Sequence, residues 1–243
     1  CEAIAYVPST GTFFISRESD NVIGEYTADG KATGRSLNIP DDYKKCVGNY
    51  GFESLAYDEE AHLFWTINES TMNGDGECAT SLNKVRNVLR LQAFDEKLQP
   101  VKQYAYRMDE PMANKKSSNY AMGVSELTAL GDGRLLVLER EFFVPMLKIG
   151  AFAQCKLYEI VPEDAEPLSS GEAIGADTKF LNKRLVYSFV TRLSLLDWSV
   201  ANYEGMCLGP KLADGSRTFI LVSDSQDNYG GVLKDWFKTI VIR

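Results

Sequence analysis

The stretch Phe52-Glu53-Ser54-Leu55-Ala56-Tyr57 occurs in related form at three other places in the chain. The other copies are Cys1-Glu2-Ala3-Ile4-Ala5-Tyr6, Ser125-Glu126-Leu127-Thr128-Ala129-Leu130 and Tyr203-Glu204-Gly205-Met206-Cys207-Leu208. Each copy has a glutamate in second position, followed by mostly apolar residues. Recurrence of a unit of this size is the sequence signature of a repeat architecture.

Each copy leads through a turn into a second apolar run that ends in an acidic residue. The acids at the ends of these runs are Glu18, Glu69, Glu139 and Asp224. The distance along the chain between the two acids is the same in the first copy as in the second. Every repeat therefore contributes two carboxylates at corresponding positions.

The segments between the motifs are typical of short, half-buried β-strands joined by tight turns. Asp29-Gly30, Asp132-Gly133 and Asp214-Gly215 each connect two apolar runs, which is a strong hairpin signal. The predicted strands are 2–7, 12–17, 21–27 and 33–39, then 53–57, 63–68, 86–94 and 100–107, then 126–130, 134–139, 151–160 and 183–191, and finally 204–208, 218–223 and 238–242.

Four-stranded antiparallel units repeated around an axis form a β-propeller. We therefore predict a single all-β propeller domain over residues 1–243, with blades at about 1–40, 51–108, 123–192 and 202–243. A β-sandwich also has many short strands, but it would not place an acid on the first strand of every unit. The last unit lacks a fourth strand, and the chain starts at Cys1 inside a repeat. We expect truncation at the N-terminus and five or six blades in the complete protein, with a lipidated Cys1 as the alternative.

Composition and charge narrow the functional classes. The net charge of −8 argues against nucleic-acid binding, because phosphate contacts need clustered Lys and Arg. No apolar run in the sequence approaches the length of a transmembrane segment. Of the five cysteines, Cys155 and Cys207 are predicted to be buried thiols, whereas Cys46 and Cys78 lie in polar loops and could form a disulfide. Such a disulfide would fit an extracytoplasmic location.

Blade topology predicts that the repeated acids meet at one face. The first strand of a blade borders the central channel, and the second runs antiparallel to it, so the start of one and the end of the other lie together. We therefore expect the mouth of the channel to collect eight carboxylates, from Glu2, Glu18, Glu53, Glu69, Glu126, Glu139, Glu204 and Asp224. An alternative is that the first-strand glutamates accept backbone N–H groups of neighbouring blades and serve only to space them.

Crowded carboxylates repel one another and call for cations. Arg17 and Arg140 adjoin the second-strand acids and could supply part of the positive charge. Oxygen ligands without His or Cys favour Ca²⁺ or Mg²⁺ over zinc, and the segment 224–228 offers further oxygens. A Ser-His-Asp triad is excluded, because the single histidine, His62, is predicted in the turn at the opposite face.

Three segments resemble the phytase-like esterase family, which consists of extracytoplasmic β-propeller proteins. They are Gly51-Phe52-Glu53-Ser54-Leu55-Ala56-Tyr57, Ser125-Glu126-Leu127 followed by Leu135-Leu136-Val137-Leu138-Glu139-Arg140-Glu141, and Asn202-Tyr203-Glu204-Gly205-Met206 followed by Ser223-Asp224-Ser225. The resemblance covers most of the chain. It implies hydrolysis of phosphate or other esters, and by analogy with propeller phytases it implies calcium as the cofactor.

Two functions fit these observations. The first is metal-assisted hydrolysis of a small-molecule ester, most simply a phosphomonoester. A Ca²⁺ ion (or Mg²⁺) would then be held by Glu53, Glu126, Glu204 and Asp224, with Arg17 and Arg140 stabilising developing charge and Glu69 or Glu139 acting as acid or base. The second is a non-catalytic binding or assembly module that holds a structural ion and grips a protein partner with the loops 71–84 and 161–182.

Overall fold

The computed structural model describes residues 1–17, 21–46, 51–169, 171–196, 200–226 and 233–242. Four separate antiparallel sheets follow one another along the chain and are arranged as the blades of a four-bladed β-propeller. In every sheet the strands are hydrogen-bonded in chain order. The prediction of an all-β propeller with four recognisable blades is therefore confirmed.

The strands of each blade are numbered in chain order. Blade 1 consists of β1 (Ile4–Val7), β2 (Thr12–Arg17), β3 (Val22–Tyr26) and β4 (Ala32–Ser36). Blade 2 consists of β5 (Ala56–Asp58), β6 (Leu63–Ile67), β7 (Val88–Phe94) and β8 (Pro100–Arg107). Blade 3 consists of β9 (Ser117–Ala129), β10 (Leu135–Pro145), β11 (Phe152–Ile160) and β12 (Lys183–Arg192). Blade 4 consists of β13 (Asn202–Leu208), β14 (Arg217–Asp224) and β15 (Phe237–Ile242).

Most strand boundaries lie within a few residues of the predicted ones, and the chief difference is in blade 3. There β9 begins at Ser117 and β10 continues to Pro145, so this hairpin is much longer than predicted. The polar start of β9 carries little strand pattern of its own, but its backbone pairs with β10 up to the Ser117–Pro145 register. Blade 4 shows only three strands among the described residues, in agreement with the sequence.

Apolar side chains on the facing surfaces of adjacent blades hold the blades together. One buried cluster joins blade 1 to blade 2, a second joins blade 2 to blade 3, and a third joins blade 3 to blade 4. At the first of these interfaces, the ring of Phe14 lies 4.5 Å from the ring of Phe64, centroid to centroid. Face-to-face packing of successive sheets therefore accounts for the alternating apolar residues of the repeats.

The cysteines are distributed differently from the prediction. Cys155 is buried as expected, but Cys207 is exposed, so the prediction for Cys207 was wrong. Cys207 lies on the side of blade 4 that no other described blade covers, which the local apolar pattern does not reveal. Cys46 and Cys78 are both free thiols in the structure. Cys46 packs against the apolar cluster between blades 1 and 2, while the Cys78 thiol donates to the carbonyl of Thr71.

Among the described residues, the helical structure consists of two short 3-10 segments, Asp41–Lys45 and Pro162–Asp164. Across the described ranges, no helix has the length and apolar character needed to cross a membrane.

The packing between blades 3 and 4 makes a testable prediction about stability. Leu138 is fully buried in that interface. Replacing it in the Leu138→Ala variant removes buried apolar surface and leaves a cavity, so we expect the free energy of unfolding to fall by about 2–5 kcal/mol. Urea denaturation followed by circular dichroism measures the change. The matched control is Leu82→Ala, at an exposed loop leucine, for which we expect a change within about 0.5 kcal/mol.

Candidate functional site

Arg140 is the centre of a buried cluster of repeat acids. It lies on β10 and is only 3% exposed, yet it contacts carboxylates from two other blades. Its Nη2 donates to Glu69 Oε1 at 2.8 Å and lies 3.5 Å from Glu53 Oε2, both in blade 2. Its Nη1 lies 3.4 Å from Glu204 Oε1 in blade 4. The predicted convergence of repeat acids around a basic residue thus involves Arg140, Glu53, Glu69 and Glu204.

Asn202 fixes the side of this cluster that belongs to blade 4. Its Nδ2 donates to Glu204 Oε1 at 2.6 Å, and its Oδ1 accepts from Arg140 Nη1 at 3.5 Å. Sequence reasoning missed Asn202, because no other copy of the repeat has an amide at this position. Its departure from the repeat is the one signal that could have singled it out.

Gly123 lets the backbone of β9 approach the Glu69–Arg140 pair. It stands opposite Arg140 in the β9–β10 ladder, and a Cβ atom at this position would overlap the side chain and the carbonyl oxygen of Glu69. The N–H of the next residue, Val124, donates to that carbonyl at 3.3 Å. A glycine in a strand often marks such a close approach, and this one was also missed from the sequence.

The surroundings of the cluster raise the pKa values of two of its carboxyl groups, Glu53 and Glu204. Burial and the negative charge of Glu69 raise the pKa of Glu53, although Arg140 opposes the shift. Burial also raises the pKa of Glu204 to about 7, with smaller contributions from Glu53 and Asp224 and an opposing one from Arg140. One guanidinium therefore does not neutralise three crowded carboxylates. Glu204 exchanges a proton close to neutral pH.

Glu126 is buried and is bound by backbone groups of its own and a neighbouring blade, so it is not open to a ligand. Its Oε1 accepts the backbone N–H of Leu55 in blade 2 at 3.3 Å and that of Leu127 in its own strand at 2.8 Å. A backbone hydrogen bond from Met206 in blade 4 also stabilises its charged form. This is the arrangement in which a first-strand glutamate spaces neighbouring blades. Burial nevertheless raises the pKa of Glu126 well above its usual range.

Glu139 belongs to a different cluster from its neighbour Arg140. Its Oε1 accepts from Tyr106 Oη at 2.6 Å and pairs with Lys183 Nζ at 2.5 Å. Lys183 also lies 3.0 Å from Asp109, and Asp109 pairs with Lys156 at 2.6 Å. Residues 139 and 140 point to opposite sides of β10, so the two predicted acid–base candidates, Glu69 and Glu139, are not brought together.

The remaining predicted residues lie around these two clusters or outside them. Arg17 ends β2, and Asp224 ends β14 as an exposed residue whose charge acts on Glu204. The charge of Glu2 also acts on Glu53 and Glu204. Glu18, Asp227 and Asn228 lie outside the described residues. His62 is an exposed turn residue that contacts Glu96 at 3.0 Å.

The carboxylate oxygens of the cluster are the kind of ligand that a hard cation such as Ca²⁺ prefers, but they do not form a preformed metal site. Within the part of the chain that the structure describes, no three acidic, histidine or cysteine side chains are placed to share one ion. A divalent cation would bind here only by displacing protons, because burial raises the pKa of Glu53 to about 9 and that of Glu204 to about 7. With these carboxyl groups deprotonated, Asp224 would add a further negative charge nearby.

The raised pKa of Glu204 predicts how stability depends on pH. A carboxyl group whose pKa is higher in the folded than in the unfolded state stabilises the fold at low pH. That contribution is lost as the pH rises from the ordinary value of 4.5 to about 7. In protein freed of divalent cations, we therefore expect the free energy of unfolding to fall across this interval.

The Glu204→Gln variant tests this expectation, because it keeps the shape of the side chain and removes its titration. The fall in unfolding free energy between pH 4.5 and 7 should be smaller in the variant by roughly 2–3 kcal/mol. Urea denaturation over this pH range measures the difference. A matched control is Glu110→Gln, at an exposed glutamate paired with Arg86, which should keep the wild-type dependence. Equal slopes for wild type and Glu204→Gln would contradict the assignment.

Comparison with known proteins identifies the family. Residues 1–228 match the family described as phytase-like, esterase-like activity of phytase. No curated protein matches the chain. Among solved structures, hydrazine synthase of Kuenenia stuttgartiensis aligns over 95% of this chain and 78% of its own, at 13% identity and a TM-score of 0.36, and a likeness of this size carries no argument. The match over nearly the whole chain, on a propeller fold, shows that this protein belongs to the phytase-like family.

Proposed function

We propose that the chain is a phytase-like ester hydrolase whose site is the cluster of Glu53, Glu69, Glu204 and Asn202 around Arg140. The observation that carries this proposal is Glu204. Its pKa of about 7 allows it to give or take a proton at neutral pH, and it lies 3.4 Å from a buried, fixed cation. A general acid or base works best when its pKa is close to the working pH.

Arg140 would stabilise the negative charge that develops on the ester or phosphoryl oxygens. Its side chain is buried, so water screens its charge only weakly. The 2.8 Å bond to Glu69 holds the guanidinium in one orientation.

The cofactor in this proposal is calcium, with magnesium as the smaller alternative. Glu53 and Asp224 are the residues that would hold it, since the carboxylate of Glu126 already accepts backbone N–H groups and Glu204 is assigned the proton transfer. When bound, such an ion polarises the ester oxygen as a Lewis acid. In this proposal the substrate is a small phosphomonoester. The resemblance to the family, and no feature of the cluster, supports an extracytoplasmic location.

The second candidate function is a non-catalytic propeller that binds a partner protein. The observation in its favour is that Arg140 lies on blade 3 and pairs with acids of blades 2 and 4, so it also acts as a clamp between blades. The loops 71–84 and 161–182 are held in place as well. Arg90 pairs with Asp75 at 2.7 Å and donates to the carbonyl of Glu172 at 2.8 Å.

Phosphate release from p-nitrophenyl phosphate tests the catalytic proposal. Protein treated with EDTA should be inactive and should regain turnover when Ca²⁺ or Mg²⁺ is added. The Glu204→Gln variant should lose at least 100-fold of this turnover, because general acid–base catalysis contributes roughly 10²–10⁴-fold. The Glu110→Gln variant, altered at an exposed acid away from the cluster, should keep wild-type turnover.

Calorimetric titration with Ca²⁺ separates binding of the ion from catalysis. Wild-type protein should bind the ion, and Asp224→Asn should bind it more weakly, because one of the proposed carboxylate ligands loses its charge. The hydrolase proposal would be overturned if neither Ca²⁺ nor Mg²⁺ restored turnover. Calcium binding without turnover would favour the binding module with a structural ion.

A further inference from the structure

One end of blade 3 carries a group of exposed aliphatic side chains. In the turn between β10 and β11, Met146, Leu147 and Ile149 are 67%, 86% and 51% exposed. In the segment after β12, Leu195 and Leu196 are 75% and 99% exposed. We call these five side chains the blade 3 tip. Single apolar residues on a surface need no explanation, but a contiguous group of them marks a binding surface.

Backbone hydrogen bonds hold the two segments of the tip side by side. The N–H of Gly150 donates to the carbonyl of Leu193 at 2.9 Å, and the N–H of Leu193 donates to the carbonyl of Ala151 at 2.8 Å. Leu193 and Ala151 are themselves buried in one apolar cluster. The tip therefore stands on a packed base at the end of the blade.

The hairpin of β9 and β10 positions the turn that carries most of the tip. Its ladder continues to the Ser117–Pro145 pair. Ser118 Oγ lies 3.1 Å and 3.2 Å from the carbonyl oxygens of Val144 and Pro145. Beyond this point, the N–H of Lys148 donates to the carbonyl of Pro145 at 2.9 Å, which closes a tight turn. The aliphatic side chains therefore stand on a turn that projects from the end of the hairpin.

The tip lies at the end of an inner blade. Blade 3 packs on blade 2 with one face and on blade 4 with the other. The tip belongs to neither of these faces. Its exposure therefore does not depend on the number of blades in the ring.

Basic residues surround the tip. The segments that meet there are 114–118, 145–150 and 192–196. Together they contain no acidic residue and four basic ones, Lys115, Lys116, Lys148 and Arg192. This is a local excess of positive charge in a chain whose net charge is −8. Lys115 and Lys116 come just before Ser117, whose partner in the ladder is Pro145. Asp197, which follows the tip, lies outside the described residues.

We propose that the blade 3 tip binds the surface of an anionic lipid bilayer. Its aliphatic side chains enter the boundary between headgroups and acyl chains, and the adjacent cations attract the anionic headgroups. Protein interfaces, by contrast, are enriched in aromatic residues and depleted of lysine. The tip has no aromatic side chain, and two lysines lie beside it. This proposal does not depend on hydrolase activity.

Co-sedimentation with lipid vesicles tests the proposal. The probes are vesicles of phosphatidylcholine alone and vesicles with about one third phosphatidylglycerol. Wild-type protein should bind the anionic vesicles at least tenfold more tightly than the neutral ones. Binding to the anionic vesicles should weaken as salt is added, because salt screens the attraction.

Leu147→Glu and Leu196→Glu test the apolar part of the tip, one in each of its two segments. Each variant places a negative charge where an aliphatic side chain enters the bilayer, so each should bind the anionic vesicles at least tenfold more weakly. Both positions are exposed, and circular dichroism should show the wild-type fold. The matched control is Leu212→Glu, at an exposed leucine between β13 and β14, which should bind as wild type does.

The double variant Lys115→Gln, Lys116→Gln tests the basic part. Its affinity for the anionic vesicles should fall at least tenfold, because each lysine near a membrane surface contributes roughly fivefold. Its weaker binding to neutral vesicles should not change. The matched control is Lys97→Gln combined with Lys211→Gln, at two exposed lysines outside the tip, which should keep the wild-type affinity.

Wild-type protein that does not sediment with the anionic vesicles would overturn the proposal and leave the tip to a protein partner. Binding that both leucine variants leave intact would also overturn it, because the protein would then attach through another surface. Loss of binding in both leucine variants, with wild-type binding in Leu212→Glu, supports the proposal.

Discussion

The buried guanidinium of Arg140 holds together the cluster of repeat acids, and the rest of the candidate site depends on this interaction. It is carried by blade 3 and pairs with Glu53 and Glu69 of blade 2 and with Glu204 of blade 4. Removing a charge from water is costly, and nearby opposite charges must offset that cost. Burial and the crowding of the carboxyl groups outweigh the effect of Arg140, so the pKa values of Glu53 and Glu204 are raised. Glu204 therefore titrates near neutral pH.

The repeat places chemically equivalent glutamates in inequivalent surroundings. Glu126 is enclosed between blades and accepts backbone N–H groups, whereas Glu53 and Glu204 reach Arg140. In the sequence, only the second-strand acid of blade 3 is followed directly by an arginine, Arg140. A repeated structural residue thus becomes part of an asymmetric site when one neighbour changes.

Apolar packing between blades supplies the second constraint. An inner blade buries one face on the preceding blade and the other on the following blade. Blades 2 and 3 have both partners within the described chain, while blades 1 and 4 have one each. The exposed Ile4 and Phe237 follow directly from this count.

The sequence by itself determined the strands, their grouping into blades and the family, because alternation, hairpin turns and repeats are local patterns. It also predicted that repeat acids would converge, and Glu53, Glu69 and Glu204 do so around Arg140. Only the tertiary structure decided which acids meet Arg140, because a side chain's direction across a strand depends on register and on the facing blade. Glu139 and Arg140 are adjacent in sequence yet belong to separate clusters, and Asn202 and Gly123 acquire their roles only through contacts with another blade. Cys207 is exposed for the same reason, since burial depends on whether a neighbouring sheet is present.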